Sequence, residues 1–497
     1  MGCCRGQRPR SAVVGLLLTM NFLEALNGTL LGLLIPVISG DFGCSTEMAL
    51  WIMLGPMLTS SMFGPAIGMV ADTIGRTFTW TVFAAVLMLS LPACGLAPNI
   101  GVLIAARTIG GMSWAGCGPA GFAIMAEGLT ASKRGIVSTY QMMTGTLGGS
   151  IGSVTGGMVI TFFGWRYCFL LAMAPVTLVW LLSFCVLPAD KSMTSSELKA
   201  KLRRFDVAGT ILFVVCSGAA LMVINRGNDL GWTSTVVVGF GITALVTLPF
   251  LIFVERRAQQ PILPFKLLWA DSIAIRCIVL QSGTWTSFNG TYLILPIFLQ
   301  MARGWTPSQA GAVLFCRPLG GFFVSVAISR YMKRDNPHLH WVIRIGSLFM
   351  TGAFCILYFV AHRVEEHNHL AALVICVLLM QAGGANGVSL PSQAILVARM
   401  PADRLANIMS VMQMVSGTAG MVGMTLMLSI VRRWGVETDV NSFRPVWAMC
   451  AAIAALVHVV GWMIEAGAQH KAPAQEVQGP GGQCDEGDLC MDCGQVF

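Results

Sequence analysis

Three ionisable residues stand where such residues are costly. Glu24 lies inside an apolar run from about Ser11 to Ile38, Arg107 inside a run over 100–126, and Arg317 inside a run over 309–329. A bare carboxylate in hydrocarbon costs at least ~2.5 kcal/mol on insertion scales, so residues of this kind usually face a cavity and do work. There, Glu24 can release a proton when a cationic solute arrives and take one up again later. It can equally form an ion pair with Arg107, and a pair that breaks on protonation is itself a switch. An arginine does not shed its charge. Arg317 therefore needs a carboxylate, carbonyls or a water-filled cavity, as a gate or an anion contact, unless it snorkels to the interface. Asn27, Trp114, Tyr140, Gln141, Trp285, Asn289 and Tyr292, which supply ring faces and amides, are the candidate substrate contacts. Ring faces attract cations, and the same residues also suit ordinary helix packing.

The elements that hold these residues follow from composition. Of 497 residues 55% are hydrophobic and 11% charged, less than half the roughly 25% charge of soluble domains. The chain belongs in a lipid bilayer, and a soluble globular protein, disorder and collagen are all excluded. The net charge of +8 does not indicate nucleic acid, because Lys and Arg sit in short loops rather than on one face. No GxxxxGK, and no GxGxxG after a strand, points to a nucleotide.

A window of about 19 residues gives fourteen spans: the first run, then 49–70, 78–97, 100–126, 135–160, 166–187, 206–226, 234–254, 272–299, 309–329, 341–361, 370–396, 405–431 and 445–466. Placing the N-terminus inside puts 22 Lys and Arg in inner segments against 7 in outer ones, and the positive-inside rule then makes both termini cytosolic. The expected organisation is a cytosolic N-terminus (1–10), a six-helix bundle (11–187), a basic cytosolic loop (188–205), two inserted helices (206–254), a cytosolic loop (255–271), a second six-helix bundle (272–466) and a flexible cytosolic tail (467–497). The glycosylation triplets at Asn27 and Asn289 fall inside spans and are chance matches.

Gly111 and Pro119 in the fourth span are spaced like Gly383 and Pro391 in the twelfth. Gly145, Gly148, Gly152 and Gly156 in the fifth are echoed by Gly417, Gly420 and Gly423 in the thirteenth. Spans one to six and nine to fourteen thus read as two copies around a central cavity, the plan of secondary transporters. Most of the 16 cysteines lie singly in apolar runs and imply no disulfide framework. Cys3 and Cys4 suggest lipidation, but Gly6 stands where a myristoylation pattern wants Ser or Thr. Cys484, Cys490 and Cys493 contain a CxxC with no His beyond it. The 30 methionines suit an adaptable pocket as well as soft metals. No metal site and no cofactor is assigned.

Gly68, Asp72, Gly75 and Arg76 resemble the GxxxDxxGR signature of the major facilitator superfamily. Phe22 to Thr29 running to Pro36 resembles FMxxLDTT...P of its fourteen-span drug:proton antiporters, the EmrB/QacA type. Arg107, Gly111, Ala115 and Pro119 resemble that family's fourth-helix motif, and Gly148, Gly152, Gly156 and Gly157 its fifth-helix antiporter motif. Trp165 to Leu170 is similar to its WRWxFL, and Phe205, Asp206 and Gly209 open the seventh span as that family does. Pro296 to Gln300, Thr306 to Gly311, Arg317 with Gly320, and Arg334 to Pro337 are similar to its later stretches. Asn27 replaces the family's Asp, Gly110 its Gln, Ser153 its Pro and Thr139 its Gly.

The resemblance implies an all-α integral membrane fold of fourteen helices (6+2+6) in two pseudo-symmetric bundles. It also implies a multi-pass protein of the plasma or inner membrane that works without a covalent step and is not an enzyme. The implied activity is proton-coupled export of amphipathic, cationic organic compounds by alternating access, with protons and a small organic substrate as ligands. By the same resemblance Asp72 pairs across inner helix ends and locks the outward-facing state, while Gly148 to Gly157 serve as hinge or packing. In a double-membraned bacterium a periplasmic adaptor protein would be a partner. A porter for one metabolite, siderophore or metal complex is the nearer rival, which a substrate panel separates. A non-transporting receptor signalling through the tail is the other.

Overall fold

The computed structural model describes residues 10–190, 207–257, 271–305, 307–332, 338–360, 369–400, 404–434 and 440–464. The Cys3–Cys4 pair, the basic segment from Lys191 to Phe205, Asp206, Thr306, Arg334 to Pro337 and the cysteines of the tail lie outside the described residues. A backbone in hydrocarbon must satisfy its polar groups internally, and the apolar runs do so as helices. These are α1 (Arg10–Phe42), α2 (Thr46–Thr73), α3 (Arg76–Gly95), α4 (Ile100–Gly110 and Met112–Ala126), α5 (Ala131–Phe163), α6 (Trp165–Val186), α7 (Val207–Leu230) and α8 (Thr235–Arg257). The second half adds α9 (Ser272–Ile297), α10 (Pro307–Met332), α11 (Leu339–Val360), α12 (His369–Met380, a π-helical Gln381–Ser389, then Leu390–Ala398), α13 (Leu405–Trp434) and α14 (Arg444–Trp462). We term the face where α1 begins proximal and the opposite face distal.

Thirteen of these helices are long and apolar enough to cross a membrane. The fourteenth, α9, has the length, 26 residues, but carries Gln281, Thr284, Ser287 and Thr291, all buried. Its polar residues face protein rather than lipid, which is why its hydropathy is low. Helix starts are capped where the sequence offers an acceptor: Ser45 takes the N–H of Met48, Asn99 that of Val102 and Asp271 that of Ile273. The fourth span, expected as one run, is interrupted at Gly111, where a side chain would strike the backbone of Pro56 in α2.

The pairing of helices repeats between halves. α1 packs on α5 as α9 packs on α13; α3 packs on α4 and α6 as α11 packs on α12 and α14. Across the seam the pairing is crossed, α2 against α13 and α5 against α10. The equivalent helix ends are tied by different chemistry. Arg10 donates to the carbonyls of Met125 and Glu127 at the end of α4, whereas Asp271 at the start of α9 forms an ion pair with Arg399 just beyond the end of α12.

The inserted helices pack on each other, and α7 also touches both α2 and α13. Asn225 of α7 accepts from Thr425 of α13 at 3.0 Å, and the next residue, Arg226, stands 4.3 Å over the ring of Trp51 in α2. In α8 only 11% of the apolar window is buried, so most of that helix presents its side chains to lipid.

Candidate functional site

Glu24 and Asn27 are three residues apart on α1, so they share a face, and that face meets α4. Glu24 Oε1 accepts from the hydroxyl of Ser113 at 3.1 Å, and Asn27 Oδ1 accepts from Arg107 Nη1 at 3.2 Å. Glu24, Asn27 and Arg107 are all buried. The ion pair between Glu24 and Arg107 is not formed, because Arg107 turns instead to Asn27 and to the ring of Phe169 in α6, 5.6 Å away. No described carboxylate lies within salt-bridge distance of it. A neutral amide thus occupies the position that would neutralise Arg107, leaving Asn27 Nδ2 and Arg107 Nε without partners. Chemically, α1 offers one carboxylate with a single hydroxyl bonded to it, free of any fixed cation.

Arg317 of α10 is 2% exposed. Its Nη2 donates to the carbonyl of Phe288 at 3.0 Å, and its Cζ stands 4.0 Å over the ring of Phe288 and 5.7 Å over that of Tyr292, both on α9. Nε and Nη1 have no partner. Cation–π contact contributes about 2 kcal/mol when desolvated and a hydrogen bond from a charged group about 1.5–3 kcal/mol. Burying an arginine costs several kcal/mol at least, which those contacts have to offset, and among the described residues no carboxylate pairs with it.

The remaining sequence candidates divide into two groups. The Trp114 ring, 41% exposed, covers Gly28 of α1, and its carbonyl accepts from Gln413 of α13 at 2.9 Å. Gln141 donates to Gly118 at 3.2 Å and its carbonyl accepts from Asn21 at 2.8 Å, so α1, α4, α5 and α13 share one polar seam, with Tyr140 part-buried beside it on α5. On α9, the Tyr292 hydroxyl donates to the carbonyl of Thr29 at 3.3 Å, across the two halves. Trp285 packs edge-on to Phe288 with its Nε1 unpartnered. Asn289 lies against Gly420 and fills the notch that this glycine leaves in α13.

At the proximal ends, Arg76 grips Asp72 Oδ1 through Nε at 3.1 Å and Nη2 at 2.9 Å, while Asp72 Oδ2 accepts the backbone N–H of Asn407, at the start of α13, at 2.9 Å. Gly68 lets α13 approach: a Cβ there would lie 2.8 Å from the carbonyl of Ala406 and closer still to Ser410. Gly75 abuts Asp190, whose carboxylate caps α3 by accepting from Thr77 and Phe78. Of the fifth-helix glycines, Gly148, Gly152 and Gly156 face α1 at Phe22, Leu26 and Leu30. Gly157 departs from the expectation for it. Nothing lies within 4 Å of where its Cβ would be, so it seats no neighbouring helix. Gly110 faces Ser90 of α3, leaving no room for the Gln expected there, and Ser153 bonds the carbonyl of Gly149.

Residues 17–424, and again 277–482, match the Major Facilitator Superfamily. The chain belongs to this superfamily. Membership makes it a multi-pass membrane transporter. It is 25% identical over 423 residues to the multidrug resistance protein Stp of Mycobacterium tuberculosis, covering 84% of this chain and 75% of that protein. It is 24% identical over 433 residues to the multidrug export protein EmrB of Escherichia coli, covering 85% and 82%. The crystal structure of the human organic anion transporter MFSD10 shares the fold, with a TM-score of 0.65 at 15% identity over 92% of this chain and all of that one.

Sequence reasoning did not single out Ser113, Asn407, Gln413 and Asn21. Gln413 left a trace, as an amide four residues before Gly417 inside an apolar span. Asn407 left none, since its contribution is a backbone N–H.

Proposed function

We infer that the protein is a proton-coupled antiporter that exports amphipathic organic compounds by alternating access. The observation that carries this reading is Glu24, a carboxylate deep in α1 that among the described residues is held by the Ser113 hydroxyl alone. With no cation fixed beside it, its charge changes with its proton, so cargo and proton can occupy it in turn. Stp and EmrB are named for multidrug resistance and export, and that activity comes to this chain as part of the same proposal.

The two tied seams support the cycle. On the proximal face α2 and α13 are joined through Asp72 and Asn407, and α5 and α12 through Arg134, which donates to the carbonyl of Met400 at 3.0 Å. Releasing these bonds opens the chamber to the proximal side. With proximal taken as cytosolic, in the plasma or inner membrane, the locked arrangement is the one that faces or releases outward. In a double-membraned bacterium a periplasmic adaptor would receive the cargo.

The test is reconstitution into liposomes with a pH-sensitive dye inside. An imposed pH gradient should drive accumulation of a fluorescent amphiphile, adding the amphiphile should move protons, and Glu24→Gln should abolish both. Retention of gradient-driven flux by Glu24→Gln removes Glu24 from the mechanism.

A further inference from the structure

Among the described residues, Arg317 is a cation with no anion. A guanidinium keeps its proton, so its charge has to be met by something, and the protein meets it with one carbonyl and two ring faces. Nε and Nη1, donors on different edges of the planar guanidinium, are left over at 2% exposure. The setting is the seam. Tyr292, against which the guanidinium stacks, reaches across to Thr29 of α1, and the adjacent Pro318 lies against Gly149 of α5. Deep in the spans, the described charges are Glu24 against Arg107 and Arg317, so the interior carries more fixed positive than negative charge.

We propose that Arg317 is the docking point for an anionic group of the cargo, and that the preferred cargo is an amphiphile bearing a carboxylate. Its aromatic or aliphatic body lies against Phe288 and Tyr292 while the carboxylate accepts from a free N–H of Arg317. This rests on the exporter reading above and departs from the cationic cargo that the sequence resemblance implies.

Binding of tritiated 1-naphthylacetate to the purified full-length protein tests it, with neutral 1-naphthylacetamide and sodium chloride as competitors. The carboxylate should bind and the amide should fail to displace it. Arg317→Gln should weaken binding by at least about tenfold, and Arg317→Lys, which keeps the charge but loses the planar guanidinium, by a smaller factor. Should Arg317→Gln fail to fold, the Lys variant and the amide competition carry the test alone. Equal competition by the amide, unchanged binding in the variants, or displacement of the label by physiological chloride overturns the proposal, the last by making the site one for halide. Glu24→Gln separates the two readings: if it keeps pH-driven flux while Arg317 still selects carboxylate, the proton role falls and the docking site stands.

Discussion

Asp72 accepts the backbone N–H of Asn407 at 2.9 Å, and with that bond a carboxylate in the last turn of α2 closes on the first turn of a helix from the other half. The acceptor sits where the exposed N–H groups of α13 begin, so the helix dipole adds to the hydrogen bond. A bond to a charged group contributes about 1.5–3 kcal/mol. Asp72→Ala should therefore shift the equilibrium at least about tenfold toward separation of the proximal ends. Spin labels near the proximal ends of α2 and α13 should show a longer distance; an unchanged distance distribution refutes the lock.

Asn27→Asp places a carboxylate beside Arg107. The guanidinium is now bonded only to an amide oxygen, so the new ion pair should stabilise the fold by on the order of 2 kcal/mol. The expected readout is a higher unfolding temperature in detergent, with Arg107→Gln erasing the gain. A lower temperature in Asn27→Asp means that Arg107 is compensated in some other way.

Two glycines of one motif should behave oppositely. A Cβ at Gly152 would lie 2.6 Å from the carbonyl of Leu26, whereas at Gly157 it meets nothing. Gly152→Ala should cost about 1–3 kcal/mol through overpacking of α1 on α5. Gly157→Ala should be neutral or slightly stabilising, through helix propensity. Paired thermal unfolding measurements decide it.

At the distal face, beyond the apolar window of α1, Asp41 accepts from Trp165 Nε1 at 2.9 Å and from Arg166 at 3.0 Å. The Trp165 bond, then the Arg166 bond, hold its carboxyl below the usual carboxylate value. A carboxyl depressed in the folded state contributes stability above its unfolded value, near 3.9, and loses it as pH falls through the lower folded one. Asp41→Asn should flatten that acid limb of a stability-against-pH curve by lowering the curve at neutral pH, modestly since the pair is half exposed, and should leave it unchanged at low pH where Asp41 is already protonated.

The fourteen helices were legible because hydrocarbon demands long apolar runs, and even α9 is found by length despite its polar face. The repeat was legible as ordinal positions of glycine, and the crossed pairing of α2 with α13 and α5 with α10 gives it a spatial form. What could not be read was which partner each buried group takes. Arg107 and Ser113 lie on either side of the break at Gly111, so helical periodicity does not carry from one to the other, and the choice of Asn27 over Glu24 is made only by the packed helices. The seal between halves was hidden for another reason: half of it is main chain, which has no residue type to recognise.

The neighbouring pair Asn225 and Arg226 ties α7 to both halves where they meet, one to Thr425 of α13 and the other to Trp51 of α2. The inserted hairpin consequently cannot ride as a passenger on either bundle. A swing of one half against the other would have to slide or rupture one of two adjacent grips, so the drag on such a swing would be set in part by an amide and a guanidinium.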